Sequence, residues 1–298
     1  MLTILRKELA DYFTSIRCFI LFLLIFIASA FAIYTAHHGI REAAVDPGPV
    51  FIKLFTTGND LPSLTVFIAL LIPIIGIALG FDAINGERSS GTLNRILSQP
   101  IYRDSVINGK FLAGLITMSI MVGSIVLLVG GYGLWMIGVP PGAEEIVRIF
   151  IYFLSAVIYG AFWMGLAILF SVLFRSLAVS LLFPMAVWIL IGIPASLFNP
   201  YVKFFVPAVS DSIGVQLMVA RIDPYFLFEE ATQVLLIPVW RGYALLTSTT
   251  TSSMLPNPLS LDQSLLIVWP QLTVLVALTA ICFAVSYIVF MRQEIRST

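Results

Sequence analysis

The sequence predicts an all-α integral membrane protein with six transmembrane helices, and three observations carry that reading. Of the 298 residues, 59% are hydrophobic and only 11% charged, with a mean hydropathy of +1.02. This leaves too little polar side chain to coat a soluble globule of the same length. Six stretches, about 18–37, 63–82, 109–137, 147–174, 177–198 and 264–291, are long and apolar enough to cross a hydrocarbon core. In lipid each must be helical, because every backbone N–H and C=O has to be satisfied within its own segment. The third observation is the distribution of basic residues. With the N terminus inside, Arg6, Lys7, Arg17, Arg88, Arg95, Arg103, Lys110, Arg175, Arg292 and Arg296 face the cytoplasm, ten of the sixteen. Arg41, Lys53, Arg148, Lys203, Arg221 and Arg241 are spread over long outer loops. Loops rich in Lys and Arg stay on the cytoplasmic side, so both termini are expected inside. A net charge of zero carries no message about nucleic acid, and none is expected as a partner.

Residues 1–17 read as an interfacial helix. Leu2, Leu5, Leu9, Tyr12, Phe13 and Ile16 recur at helical spacing, while Arg6, Lys7, Glu8 and Asp11 fill much of the remaining surface. Arg6, Lys7 and Arg17 ahead of the apolar run from Cys18 also resemble the start of a secretory signal, but the basic region is too long and too regularly patterned for one. A frayed cytoplasmic tail is the other alternative. After the first span comes an outer loop of about 25 residues, and the second span carries Pro73, Gly76 and Gly80 before closing at Asp82. Helix breakers of this kind, with Pro184 and Pro194 in span five and Pro270 in span six, mark positions where a span can bend.

The inner loop 83–108 is the most informative part of the chain. Between Phe81 and Lys110 lie Asp82, Glu87, Arg88, Arg95, Arg103, Asp104 and Lys110, a charged island between two apolar stretches. Gly86 and Gly91 bracket Glu87 and Arg88, and Thr92–Leu97 reads as a short helix with Leu93, Ile96 and Leu97 on one side, ended by Pro100. Such a helix, apolar on one face and charged at its ends, suits a groove on a cytoplasmic partner. The same residues fit a solvated loop that obeys the positive-inside rule, and physics alone leaves the two open. Asp104 stands where it would cap span three, with Lys110 one to two turns in.

Span three contains Gly123, Gly130, Gly131 and Gly133, small residues that let a neighbouring helix approach. A Pro140-Pro141-Gly142 turn leads to span four, and Arg175 separates spans four and five. The outer loop 199–263 is long enough to suggest a function of its own. Within it, Asp223-Pro224 reads as an N-cap followed by the first residue of a short amphipathic helix on the outer surface, running through Phe228, Glu229 and Glu230. The run 247–253 reads as linker, and Ser260 with Gln263 forms a capping box at the start of span six.

The motifs around Glu87 resemble a known family. Glu87-Arg88-Ser89-Ser90-Gly91-Thr92-Leu93, followed by Pro100 and by Gly109-Lys110, is similar to the E-R-x-x-G-T-L…P…G-K signature of ABC-2 type permeases of ATP-binding-cassette transporters. The segment 223–232 is similar to one in permeases near that of nitrous oxide reductase maturation. The chain departs at Asn94, where the family commonly carries an acidic residue. The resemblance implies a six-span permease subunit, an exporter by expectation, that forms the path as a homodimer or with a paralogous permease in a prokaryotic plasma membrane. It implies a separate cytoplasmic ATPase that binds ATP and Mg and docks on the coupling helix Gly91–Ser98. Thr92, Leu93, Arg95, Ile96, Leu97 and Pro100 belong to that helix and its end, Glu87 and Arg88 hold or orient it, and Asp82 and Lys110 belong to the inner interface.

Other chemistries find little support. The chain contains no G-x-x-x-x-G-K-[ST], so nucleotide is expected on another chain and no cofactor on this one. Neither H-E-x-x-H nor G-x-S-x-G occurs, and the adjacent His37 and His38 lack the Cys or acidic company of a metal site. Span centres are neutral, unlike those of ion-coupled transporters. Cys18 and Cys282 lie at different depths, which disfavours a disulfide. A non-transporting membrane scaffold or receptor that uses the outer loop is the alternative class.

Overall fold

The computed structural model describes residues 1–43, 50–56, 63–92, 98, 102–138, 140–191, 221–237 and 259–293. Among these every regular element is an α-helix: α1 (Leu2–Thr14), α2 (Ile16–Ala43), α3 (Val50–Thr56), α4 (Leu64–Gly80), α5 (Asn85–Ser89), α6 (Arg103–Ile137), α7 (Ala143–Leu173), α8 (Leu177–Ile191), α9 (Pro224–Leu236) and α10 (Leu261–Arg292). Among the described residues five segments are long and apolar enough to cross a membrane: Ile16–Thr35, Leu64–Ser89, Arg103–Met136, Ala143–Leu173 and Leu261–Arg292. The described part of the expected fifth span, α8, has 15 residues, about 22 Å at helical rise and short of a ~30 Å hydrocarbon core. Its expected continuation, 192–198, lies outside the described residues.

Helix α7 is the axis of the bundle. It packs against α4 and α10 along their lengths and also meets α6, α8 and α9. Tyr152, Tyr159 and Trp163 on α7 are fully buried. The α4–α7 contact is close because Gly76 and Gly80 leave no side chain there: a Cβ on Gly80 would stand 2.7 Å from the Met164 carbonyl oxygen. These glycines therefore serve packing in addition to any bending at Pro73. Of Gly123, Gly130, Gly131 and Gly133 in α6, Gly133 alone packs tightly, against Leu54 of α3, whereas Gly131 faces open space. Large apolar side chains such as Phe19, Phe26, Leu127, Leu182, Leu266 and Ile281 are exposed on the outside of the bundle. That is the surface expected of helices whose solvent is lipid.

Three local expectations need correction. Helix α6 begins at Arg103 with Tyr102 as its N-cap, so Asp104 lies within the first turn, where its Oδ1 accepts from the Ser105 N–H at 2.7 Å. Arg148 is not a loop residue but is buried in the second turn of α7. The third concerns α9, expected on the surface: Tyr225, Leu227, Phe228, Ala231, Val234 and Leu235 are all buried. Phe228 stacks on Tyr159 of α7 with ring centroids 4.6 Å apart and planes 5° from parallel. Apolar residues on most sides of α9 explain the difference, since a helix of that composition gains more from insertion than from lying on water.

Candidate functional site

Polar contacts collect at the two ends of the bundle. At one end, α1, the α4–α5 corner, the start of α6 and the last turn of α10 come together. Lys110, in the third turn of α6 and 4% exposed, donates from Nζ to Glu8 Oε1 and to Glu87 Oε1, both at 2.9 Å. Lys7 Nζ bridges the same two oxygens at 3.0 and 3.1 Å. Two lysines and two glutamates thus form a closed ring that joins α1, α5 and α6. Burial pushes Glu8 up, but the charges and hydrogen bonds of Lys110 and then Lys7 more than offset it, leaving Glu8 below its ordinary range. Burial also opposes the charge on Lys7, and Glu8 with Glu87 overcomes it, so its net shift is upward. Glu8 is here a buried partner of α6, not part of the solvated face of an interfacial helix. Leu2, Phe13 and Ile16 do remain exposed on the other flank of the α1–α2 start.

The Gly-Lys pair has a double role in this geometry. Gly109 lets α1 lie against α6, because a Cβ there would meet Ile4 Cγ2 at 2.8 Å, and Lys110 then supplies the charge. Tyr12 O–H donates to the Leu79 carbonyl at 2.9 Å, fixing the far end of α1 to α4. Arg17 reaches from α2 to Asp82 Oδ2 at 2.7 Å and lies over the Phe81 ring at 4.9 Å.

The corner after α4 is held from the other side by small hydroxyls. Ser171 Oγ accepts from the N–H groups of Ile84 and Asn85, each at 3.1 Å. Asn85 Nδ2 donates to Ser180 Oγ at 3.1 Å, and that hydroxyl donates to the Phe81 carbonyl at 2.9 Å. Arg88 donates to Gln293 Oε1 at 2.7 Å, while Gln293 Nε2 donates to the Val172 carbonyl at 2.8 Å and its own carbonyl accepts from Arg103 at 3.2 Å. Glu87 and Arg88 are neighbours in sequence yet tie α5 to different elements. Gly91 adopts φ +70°, a conformation costly for any side-chain-bearing residue, and Thr92 Oγ1 folds back to the Glu87 carbonyl at 3.3 Å. Leu93, Arg95, Ile96, Leu97 and Pro100, the body of the expected coupling helix and its end, lie outside the described residues.

At the opposite end, α9 is anchored by charge. Asp223 Oδ1 caps it by accepting from the Tyr225 N–H at 2.8 Å, and Pro224 is its first residue. Burial raises Asp223 to about 7. Glu230, 1% exposed, pairs with Arg221 at 3.1 Å and accepts from Gln271 of α10 at 3.0 Å. Arg148 donates to the carbonyls of Leu235 and Leu259, both at 2.8 Å, to Ser264 Oγ at 3.1 Å and to Glu144. Gln263 Oε1 accepts from the Ser260 N–H at 3.3 Å at the head of α10.

The sequence reading did not anticipate Glu8, Gln293 and Arg148 as partners of these clusters. Glu8 sits beside Arg6, Lys7 and Asp11 in the sequence and Arg148 just after Glu144 and Glu145, so local pattern does not single them out. Against the models of known families, residues 2–295 match that of the ABC-2 family transporter protein. The chain belongs to the ABC-2 transporter family. Two relatives of this ABC-2 chain are described as probable ABC transporter permease protein NosY. The one from Pseudomonas aeruginosa is 32% identical over 183 residues, covering 60% of this chain and 58% of the relative. The one from Stutzerimonas stutzeri is 33% identical over 142 residues, covering 45% and 48%. The matched region thus spans about half the length of these relatives.

Proposed function

We propose that this chain is the membrane-spanning permease subunit of an ATP-binding-cassette transporter, driven by a separate ATPase that docks on the segment Gly91–Ser98. The structural observation that supports this reading is the ring formed by Lys7, Glu8, Glu87 and Lys110. Glu87 opens the E-R-x-x-G-T-L motif, immediately ahead of the proposed docking segment. A push on that segment reaches α1 and α6 through Glu87 and α10 through Arg88, with little slack in hydrogen bonds of 2.7–3.1 Å. Two rigid arrangements of the bundle, selected by closure of the partner, are then the inward- and outward-facing states.

In this proposal the ring end faces the cytoplasm, α8 is the described part of a sixth span, and two permease chains form an export path. ATP and Mg belong to the ATPase. The relatives' printed description as permeases of ABC transporters supports the same assignment.

The test is to tag the chain, extract it gently from its native membrane with ATP and vanadate present, and identify what remains bound by mass spectrometry. A stoichiometric partner carrying a Walker A sequence is the expected result. Recovery of the chain alone, or with membrane proteins that are not ATPases, overturns the proposal in favour of a scaffold or receptor. Asp82→Asn, Glu87→Ala and Leu93→Asp are expected to insert normally and to weaken coupling of ATP hydrolysis to transport. Normal transport by all three refutes the assignment of the loop.

A further inference from the structure

On α9, next to the residue that anchors it through Glu230, lies a carboxylate in a different situation. Glu8, Asp82, Glu87, Glu144 and Glu230 each pair with a Lys or Arg. Among the described residues Glu229 pairs with neither. Its partner is the neutral Gln233 amide, Nε2 to Oε1 at 3.1 Å. Glu229 stands on the wall of a cavity of about 180 Å³ between α9, α3 and the start of α4. The hydroxyl-bearing Thr56, Ser63, Thr65 and Thr232 line the same cavity.

A second, independent feature points to a ligand. Thr232 is 4% exposed, and its Oγ1 has no hydrogen-bond partner. A buried hydroxyl in that condition carries a desolvation cost unless something in the cavity meets it. Ser63 and Thr65 bond to each other at 2.8 Å, a hydroxyl pair with acceptor capacity to spare. Burial raises Glu229 above its ordinary range, as befits a carboxylate in want of a cation.

We infer that this cavity binds a small organic ammonium group, with Glu229 as counter-ion and the hydroxyls of Thr232, Ser63 and Thr65 as acceptors. One carboxylate and several acceptor oxygens suit a cation with N–H donors better than an anion or a neutral apolar molecule. The volume exceeds the roughly 150 Å³ of a protein cavity that holds benzene, so a bare ion would leave it largely empty. Ser63 directly precedes the membrane-spanning α4, which puts the cavity at the level where lipid headgroups lie. The ammonium can therefore come from a free solute or from an ethanolamine headgroup. The inference is independent of the transport reading.

Binding is read from the thermal unfolding of the full chain in nanodiscs of phosphatidylglycerol, titrated with ethanolammonium chloride. Ethylene glycol, its neutral counterpart, and sodium chloride at equal ionic strength are the controls. A saturable rise in unfolding temperature with ethanolammonium alone is expected, and Glu229→Gln is expected to weaken the apparent affinity about tenfold or more. Thr232→Val provides a second variant that keeps the shape of the side chain. In nanodiscs containing phosphatidylethanolamine, a raised unfolding temperature with no further response to ethanolammonium assigns the site to the headgroup. An undiminished response assigns it to the free solute. Equal shifts with ethylene glycol or sodium, no saturable shift from either source, or full retention of the response in both variants overturns the inference.

Discussion

Replacing Lys110 with Met removes the cation from between two glutamates and keeps the length of the side chain. In the parent, Nζ lies 2.9 Å from Glu8 Oε1 and 2.9 Å from Glu87 Oε1, and the lysine is 4% exposed. At an effective dielectric of ~20 each contact is worth about 6 kcal/mol of Coulomb attraction, most of it offset by desolvation of the charges. Removing one side of a buried pair costs about 3–5 kcal/mol, because the remaining charge stays buried. Lys7 still bridges both oxygens at 3.0 and 3.1 Å, which places the expected loss near the lower end, about 3 kcal/mol. The assay is unfolding by SDS in mixed micelles for the parent, Lys110→Met, Glu8→Gln and the double variant. The double variant keeps Lys7 opposite Glu87 and should recover part of the loss, with a coupling of at least 1 kcal/mol or so. Acid sensitivity gives a second reading. Glu8 lies below its ordinary 4.5 in the folded chain, so the stabilisation it provides is complete above about 4.5 and is lost as pH falls through the lower folded value. Lys110→Met should diminish that acid-side loss. A variant as stable as the parent, with coupling under about 0.5 kcal/mol and the same acid profile, refutes the ring as a stabilising unit.

Arg148→Leu should destabilise the chain strongly, since the Leu235 and Leu259 carbonyls lose their donor, at about 1–3 kcal/mol for each buried group left unpaired; unchanged SDS unfolding would contradict this. Asp223, raised to about 7 from an ordinary 3.8, binds a proton in the folded chain that the unfolded chain has released. Its contribution therefore makes stability decline as pH rises from about 4 to 7, and Asp223→Asn, which can still cap α9, should flatten that decline in a pH series. Gly80→Val places a Cβ 2.7 Å from the Met164 carbonyl oxygen, with an expected overpacking cost of about 1–3 kcal/mol. Gly131→Ala, which faces open space, is the control and should unfold like the parent.

The long helices were legible because apolar runs in lipid admit few other structures, and α9 announced its start because Asp-Pro combines a capping oxygen with a preset φ. Glu87 and Lys110 stood out as charges in an apolar chain, but their pairing closes across α1, and Glu8 and Lys110 are 102 positions apart. Local patterning carries no information about such a contact: Glu8 looked like one charge among several on a helix surface. The burial of α9 was missed for a related reason. An Asp-Pro start and two adjacent glutamates suggest a wet helix, and Glu230 becomes tolerable inside only through Arg221 and Gln271, the second of which is 41 positions away. Gln293 carried no signal at all, since a neutral amide after a span is ordinary and its three contacts come from Arg88, Arg103 and Val172.

The ring of Lys7, Glu8, Glu87 and Lys110 sums to zero charge. An isolated ion dragged through a membrane field exchanges about 2.3 kcal/mol of work per elementary charge for every 100 mV it crosses. A neutral quartet that shifts as one body exchanges almost none. A displacement of the quartet by itself is therefore electrically silent, and its equilibrium does not depend on membrane voltage. Losing one lysine leaves the quartet with a net negative charge, and the same displacement would then carry charge through the field.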